Sequence, residues 1–157
     1  MLLKQQNRRI ATISRYTHGL IHGYRSGLED KLSKQISEAG LEVEYETDKL
    51  AYMWPERKST YKPDFKLPKA NNEYFYIEGK GRFTVSDRQK HLLIREQLPD
   101  VDIRFVFSNA QAKLYKGSKT TYAQWCEKHG FAYSDKVIPI EWLKEGDNQN
   151  EPKQQNP

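Results

Sequence analysis

Residues 62–80 read KPDFKLPKANNEYFYIEGK, and this stretch encodes the strand pair around which the fold is built. The aromatic and β-branched run at residues 74–77 is typical of a strand. Residues 64–67 are a second candidate strand. Its start is set by Pro63, because a proline can precede a strand but cannot lie inside a central one. A turn from Pro68 to Asn72 connects the two segments. The sequence therefore predicts a hairpin.

Three charged residues meet at one end of this hairpin. Alternate side chains of a strand share a face, so Glu78 and Lys80 point the same way and Asp64 lies across from them. Gly79 leaves the backbone between them open to close approach by a ligand. Two carboxylates suit Mg²⁺, and a lysine beside them can offset charge on a phosphoryl transition state. These residues alone leave a second interpretation open, in which they are ordinary charges of a solvent-exposed hairpin.

The segment before the hairpin predicts an amphipathic helix over residues 26–39. Ser26 is a favourable N-cap, Glu29 follows at capping-box spacing, and Gly40 is a typical residue after a helix end. Apolar residues at positions 28, 32 and 36 mark the buried stripe of this helix. Glu29 lies beside the stripe and can face a cleft, although its spacing alone favours a capping residue.

The remaining pattern alternates strands and helices. It predicts extended segments at residues 42–47 and 50–54, a helix from a Ser86-Asp87 cap to about residue 98, a strand at 101–107, and a helix at 121–129 that Gly130 ends. This order favours an α/β fold with a mixed β-sheet flanked by helices.

Composition indicates one domain. The chain has 157 residues, of which 36% are hydrophobic and 30% charged, and no apolar run approaches the length of a membrane span. Its single cysteine, Cys126, excludes an intramolecular disulfide and is expected to be a buried thiol. The start has no signal-peptide pattern, so we expect a cytoplasmic protein without a membrane partner.

The net charge of +5 lies entirely at the N-terminus. Residues 1–25 contain five basic side chains and no acid, whereas the remaining residues hold 21 of each sign. We interpret residues 1–23 as a basic arm that binds phosphates, with an incidental solubilising tail as the alternative. Residues 146–157 are rich in Asn, Gln and Pro and are expected to be a disordered polar tail, which leaves residues 24–145 as the folded domain.

Basic residues are the candidates for DNA contact, because phosphate contacts give position and affinity without reading sequence. Each of them singly is equally consistent with an ordinary solvated charge. The candidates are Arg8, Arg9, Arg15 and Arg25 near the arm, Arg82, Arg88 and Lys90 after the second hairpin strand, and Lys113, Lys116 and Lys119 in a later loop.

Several stretches together resemble the phage endonuclease I family, whose members are restriction-endonuclease-like nucleases with a PD-(D/E)xK motif. Asp64, Glu78 and Lys80 fit that loose motif, and the resemblance extends from about Tyr24 to Glu145. The more specific stretches are YRSGLEDK at residues 24–31, KHLLIREQ at 90–97, KLYKGS at 113–118 and CEKHG at 126–130.

The resemblance implies an active site of three carboxylates and a lysine: Glu29, Asp64, Glu78 and Lys80. Asp64 and Glu78 would be the main ligands of Mg²⁺, with Mn²⁺ as a substitute, and the carbonyl of Gly79 a further ligand. The family has Thr or a similar residue at position 79. Family members are intertwined, domain-swapped homodimers, so Glu29 would reach the site of the partner chain and serve a second metal ion or its water.

The resemblance also implies the activity: cleavage of four-way (Holliday) junctions and other branched DNA by paired phosphodiester hydrolysis, in the cytoplasm of an infected bacterium. Two alternatives stay open. One is an endonuclease of the same fold acting on linear duplex DNA, and the other is a dimer that binds junctions without catalysis.

Overall fold

A mixed five-stranded sheet with helices packed against it forms the body of the molecule. The structure, a computed structural model, describes residues 23–54 and 57–147. In chain order the elements are α1 (Gly27–Glu38), β1 (Glu44–Tyr45), β2 (Leu50–Trp54), β3 (Arg57–Tyr61), β4 (Phe65–Pro68), a 3₁₀ turn (Ala70–Asn72), β5 (Tyr74–Lys80), α2 (Val85–Gln97), β6 (Ile103–Phe107), α3 (Tyr122–His129), β7 (Ala132–Asp135) and α4 (Ile140–Leu143).

The central sheet has the order β1-β4-β5-β6-β7, and β2 pairs with β3 in a separate two-stranded sheet. The β1–β4 and β4–β5 pairs are antiparallel, whereas β5–β6 and β6–β7 are parallel. The prediction of a mixed α/β sheet is therefore confirmed. Parallel neighbours place the carboxyl ends of β5 and β6 at the same edge, where a site built on Glu78 and Lys80 has to lie.

The predicted hairpin is confirmed in detail. Phe65 of β4 pairs with Ile77 of β5, so Asp64 and Glu78 lie directly beyond this pair on adjacent strands. The connection is tight because Asn71 and Asn72 both adopt positive φ angles, of 62° and 59°, which asparagine tolerates better than most residues.

Helix α1 also begins and ends as predicted. The Ser26 side chain accepts the Glu29 backbone N–H at 3.1 Å. At the other end Gly40 has φ 77°, with Gly40 N–H bonded to Ser37 and Leu41 N–H bonded to Ile36, which is a complete Schellman motif. Leu32 and Ile36 are fully buried against β4 and β5, so α1 covers the strands that carry the candidate site.

Several predicted boundaries were wrong. The strand expected at residues 42–47 is only Glu44–Tyr45, because Glu46 turns into the left-handed region with φ 50°. The N-cap of α2 is Thr84 and not Ser86: its hydroxyl accepts the Asp87 N–H, and the Asp87 carboxylate accepts the Thr84 N–H. The strand expected from residue 101 begins at Ile103. Strands β3 and β7 and helix α4 were not predicted.

The core continues on the second face of the sheet, where aromatic residues of β6, α3 and the segment after β5 pack together. Cys126 is buried there, as predicted, and burial raises the pKa of its thiol to about 12. Within residues 23–54 and 57–147, none of the helices is long and apolar enough to cross a membrane.

The predicted arm and tail lie almost entirely outside the described residues and stay predictions. Of the tail, Gly146 and Asp147 are described, and Asp147 donates its N–H to Lys144.

Candidate active site

A polar cleft of about 490 Å³ opens where α1, β3 and the carboxyl end of β5 meet. Four acidic and four basic side chains line it, together with Thr60, Tyr61 and Gly79: the acids are Glu29, Glu46, Asp64 and Glu78, and the bases are Arg25, Lys62, Lys80 and Lys90. All four residues that the sequence predicts to be catalytic therefore face the same space.

The hairpin carboxylates are buried and firmly held. Asp64 is 3% exposed and Glu78 5% exposed. One oxygen of Asp64 accepts the backbone N–H of Gly79 at 2.9 Å, which ties β4 to the site end of β5. Glu78 Oε2 accepts the hydroxyl of Tyr61 at 2.5 Å, and its Oε1 lies 3.3 Å from the ammonium of Lys80.

Lys80 lies between two acids, Glu78 and Asp87. Its ammonium donates to the Asp87 carboxylate at 3.1 Å, so the residue that caps α2 also orients the lysine. Burial alone would lower the pKa of Lys80, but Glu78 and Asp87 outweigh it and raise the pKa above its ordinary value. Lys80 therefore contributes a positive charge to the cleft.

Glu29 faces the cleft from α1 of the same chain. Its Oε2 accepts the Arg25 backbone N–H at 2.7 Å and the Tyr45 hydroxyl at 2.6 Å. The capping interpretation holds only in part. The Glu29 backbone N–H does bind the Ser26 side chain, but the Glu29 carboxylate binds Arg25 and Tyr45 and not the Ser26 N–H that a capping box requires. Glu29 is 7% exposed, which is low for a carboxylate with a capping role alone.

The electrostatics of the cleft suit a cation. Burial, and then the charges of Glu78 and Glu29, raise the pKa of Asp64 to about 8, although the Gly79 N–H and Lys80 oppose this. Burial and the neighbouring carboxylates therefore disfavour a charged Asp64 more than the nearby donors favour it. A divalent cation relieves such repulsion, and Mg²⁺ is commonly bound through one or two carboxylates with waters completing its shell.

No group of three Asp, Glu, His or Cys side chains within the described ranges is arranged to hold a metal ion. The two hairpin carboxylates with a backbone carbonyl and waters fit Mg²⁺ in a different way, because they need no third side chain. Glu29 is directed to Arg25 and Tyr45. It is suited to an outer position, where it could hold a water of the ion.

Position 79 brings α1 close to the site strand. A Cβ atom there would lie 3.2 Å from Leu32 Cδ1 and 3.4 Å from Leu28 Cδ2. The glycine therefore lets the leucines of α1 pack directly on β5, and Glu29, on the same helix, reaches the cleft.

The predicted DNA-binding residues occupy three environments. Arg25 and Lys90 line the cleft, where Arg25 forms an ion pair with Glu46. Arg88 donates to the Phe83 carbonyl at 2.6 Å, whereas Arg82, Lys113, Lys116 and Lys119 are exposed. Arg8, Arg9 and Arg15 lie outside the described residues.

Comparison with known proteins identifies the relatives of this chain. The family model of phage endonuclease I matches residues 10–155. The chain belongs to the phage endonuclease I family. It is 52% identical over 125 residues to Endonuclease I of Escherichia phage T7, a match that covers 80% of this chain and 81% of the relative. It is 50% identical over 135 residues to Endodeoxyribonuclease 1 of Enterobacteria phage T3, with 86% and 85% covered. As a member of this family the chain is an endonuclease of the deoxyribonuclease class.

Sequence reasoning missed the groups that hold the acids in place. Tyr61 and Tyr45 donate to Glu78 and Glu29, Asp87 binds Lys80, and Glu46 adds a fourth carboxylate to the cleft. Asp87 was predicted only as part of a helix cap, and Glu46 carried no signal beyond its charge. Tyr61 lies two residues before the Pro63-Asp64 pair of the motif, and this closeness could have indicated a cleft position, but its partner depends on the three-dimensional fold.

Proposed function

We propose that this endonuclease is Mg²⁺-dependent, with Mn²⁺ as a substitute, and that it resolves four-way junctions and other branched DNA by paired phosphodiester hydrolysis. The observation that supports this best is the convergence of Asp64, Glu78 and the Lys80 ammonium in one polar cleft. We place the activity in the cytoplasm of an infected bacterium and propose a restriction-endonuclease-like core for it.

In this proposal Asp64, Glu78 and the Gly79 carbonyl hold the metal ion, and Glu29 binds its outer waters or a second ion. When bound, Mg²⁺ would polarise the phosphoryl oxygen and acidify a water. Lys80 contributes a fixed positive charge beside Glu78, which offsets the negative charge that grows on the phosphate during attack. Because Asp87 holds Lys80 from the other side, this charge requires no rearrangement when the substrate arrives.

We further propose an intertwined homodimer, and the register of the β2–β3 ladder is compatible with it. Every pair in this ladder, from Leu50 with Tyr61 to Trp54 with Arg57, is centred on the peptide bond between residues 55 and 56. If β2 of one chain paired with β3 of its partner, each residue would keep the same pairing partner about a two-fold axis. Helix α1 would then cover the partner's β4 and β5, and Glu29 would act in trans.

A cleavage comparison tests the junction preference. Purified protein is given a four-way junction or its linear duplex arms, in Mg²⁺, in Mn²⁺ and in EDTA. We expect rapid paired cuts in the junction with either metal, slow cutting of the duplex, and no cutting in EDTA. Equal rates on both substrates would favour the duplex endonuclease, and tight junction binding without cutting would favour the non-catalytic dimer.

A mixed dimer tests the shared site. Glu29→Ala and Glu78→Ala chains, each inactive alone, are refolded together with different tags and purified as a heterodimer. With Glu29 acting in trans, one site carries both substitutions and the other none, so the heterodimer makes one cut per junction. With Glu29 acting in cis, each site carries one substitution and the heterodimer is inactive.

A further inference from the structure

Tyr61 is a buried tyrosine at the back of the cleft. It ends β3, is 3% exposed, and donates its hydroxyl to Glu78 Oε2 at 2.5 Å. Its ring makes an edge contact with His91, at 5.0 Å between ring centroids, and the Lys90 ammonium lies 5.1 Å from its centroid. The ring is therefore fixed by packing, and its hydroxyl points at one carboxylate oxygen.

We propose that Tyr61 is a positioning residue, which sets the orientation of the Glu78 carboxylate for metal binding. This inference rests on the proposed function. Tyr61 holds Oε2 while Lys80 lies 3.3 Å from Oε1, so two donors on different oxygens define the rotation of the carboxylate. The phenol is neutral, and it therefore restrains Glu78 without adding a positive charge that would repel a cation.

The second glutamate of the site is also held by a tyrosine, although both of its donors bind the same oxygen. Tyr45 donates to Glu29 Oε2 at 2.6 Å, whereas Asp64 is held by a backbone N–H. Tyr45 and Glu29 both precede the β2–β3 connection, and Tyr61 and Glu78 both follow it. Each tyrosine therefore stays in the same chain as its glutamate whether or not α1 is exchanged between subunits. Outer groups of this kind typically change metal affinity or activity by about 10–100-fold when removed.

Tyr76 offers a matched control. It is 3% exposed, lies on β5, and donates its hydroxyl to Asp48 Oδ2 at 2.6 Å. Neither Tyr76 nor Asp48 lines the cleft. Tyr61→Phe and Tyr76→Phe therefore each remove one buried bond from a tyrosine to a carboxylate, and only the first bond reaches a proposed metal ligand.

The test measures Mn²⁺ binding to the free dimer by calorimetry and, separately, junction cleavage as a function of Mg²⁺ concentration. We expect Tyr61→Phe to weaken Mn²⁺ binding about 10-fold or more and to raise the Mg²⁺ concentration for half-maximal cleavage by a similar factor. Junction binding in EDTA should not change. Tyr76→Phe should match the wild type in both metal measurements, even where its melting temperature falls.

Two results would overturn the inference: a Tyr61→Phe protein that binds Mn²⁺ like the wild type, or an equal loss in Tyr76→Phe. Tyr61→Leu, which lacks both ring and hydroxyl, serves as a second variant. If Tyr61→Leu weakened metal binding and Tyr61→Phe did not, the packing of the ring and not the hydroxyl would be responsible. That result would also overturn the positioning role. If the wild type itself neither bound Mn²⁺ nor cut junctions, the proposed function would fail first, which is a distinct outcome.

Discussion

Two clusters of charged side chains lie on opposite faces of the β5–β6 strand pair but differ in how far the charge of each aspartate is compensated. In the cleft, Glu78 of β5 pairs in register with Phe105 of β6. The adjacent residue, Arg104, points to the other face, where its guanidinium bridges Asp102 and Glu145. We call this second set the Arg104 cluster; its members are Arg104, Asp102, Glu145 and Lys69.

The Arg104 cluster is compensated. Although burial opposes it, hydrogen bonds from Arg104 and Lys69 lower the pKa of Asp102. The guanidinium also stacks 3.8 Å above the ring of Phe75, which joins the cluster to the core. Its bond to Glu145 joins the cluster to the chain after α4. In the cleft the pKa of Asp64 moves in the opposite direction. Compensated charges stabilise a fold, whereas acids left in mutual repulsion are typical of a site that binds a cation.

The largest expected difference between the two clusters is in catalysis. Asp64→Asn removes a proposed metal ligand and should reduce junction cleavage on the order of 10³-fold or more, while junction binding is retained. Asp102→Asn should cleave at nearly the wild-type rate once its folding is verified. Single-turnover cleavage with band-shift binding measures both. Loss of junction binding in Asp64→Asn would indicate that Asp64 has a structural role, and the two clusters would then not differ in function.

The sequence predicts the cleft better than the Arg104 cluster because the cleft residues are close together along the chain. Asp64, Glu78 and Lys80 lie on one hairpin, and a two-residue strand period is enough to place two of them on one face. Arg104 and Glu145 are 41 positions apart, and no local pattern relates them. Arg104 could be assigned only to the strand that contains it.

The errors have both long-range and local causes. Tyr61 and Glu78 are connected through packing of β3, α2 and β5, which the order of elements does not determine. At the start of α2, Thr84 and Ser86 are both plausible caps by residue type, and the reciprocal bonds with Asp87 decide for Thr84. The short β1 follows from the left-handed backbone of Glu46, an uncommon conformation for a non-glycine residue.

The second prediction concerns stability, for which we expect a substitution in the Arg104 cluster to have a larger effect than one in the cleft. Arg104→Met leaves Asp102 and Glu145 without their shared partner and should lower the free energy of unfolding by about 3 kcal/mol, the lower end for breaking a buried ion pair, because Glu145 is partly exposed. In EDTA above pH 8, Asp64→Asn should cost little or be stabilising, because it removes a buried negative charge beside Glu78. Urea unfolding of each variant measures this. A larger loss in Asp64→Asn than in Arg104→Met would contradict the comparison.

The third prediction is the pH dependence of the metal-free protein. The folded pKa of Asp64 is raised to about 8, so its favourable contribution is complete below an unfolded value near 3.8 and is lost as the pH rises through about 8. The folded pKa of Asp102 is lowered, so its contribution is present above 3.8 and is lost only at lower pH. Between pH 5 and 8 in EDTA, Asp64→Asn should therefore lose less stability than the wild type, and Asp102→Asn should follow the wild type. Parallel curves for all three proteins would contradict the assignment.

The smallest expected effect concerns charges outside both clusters. Lys116 is exposed in a tight turn in which Ser118 donates to Tyr115 and Gly117 has φ 88°. The loop that carries this turn leaves β6 at the site edge of the sheet, where Ser108 N–H bonds the Lys80 carbonyl. A lysine exposed on an ordered turn of this loop is available to a phosphate of bound DNA.

Lys116→Ala should therefore weaken junction binding only a few-fold, but it should reduce the slope of log affinity against log salt by about 0.9, the value for one lost phosphate contact. Lys34→Ala is the control, because Lys34 is equally solvent-facing but is paired with Asp30 along α1. Band-shift titrations at four salt concentrations measure both slopes. A lower affinity with an unchanged slope would mean that Lys116 acts through the shape of the turn and not through its charge. An equal change of slope in Lys116→Ala and Lys34→Ala would mean that binding depends on the net charge of the protein and not on a phosphate contact of Lys116.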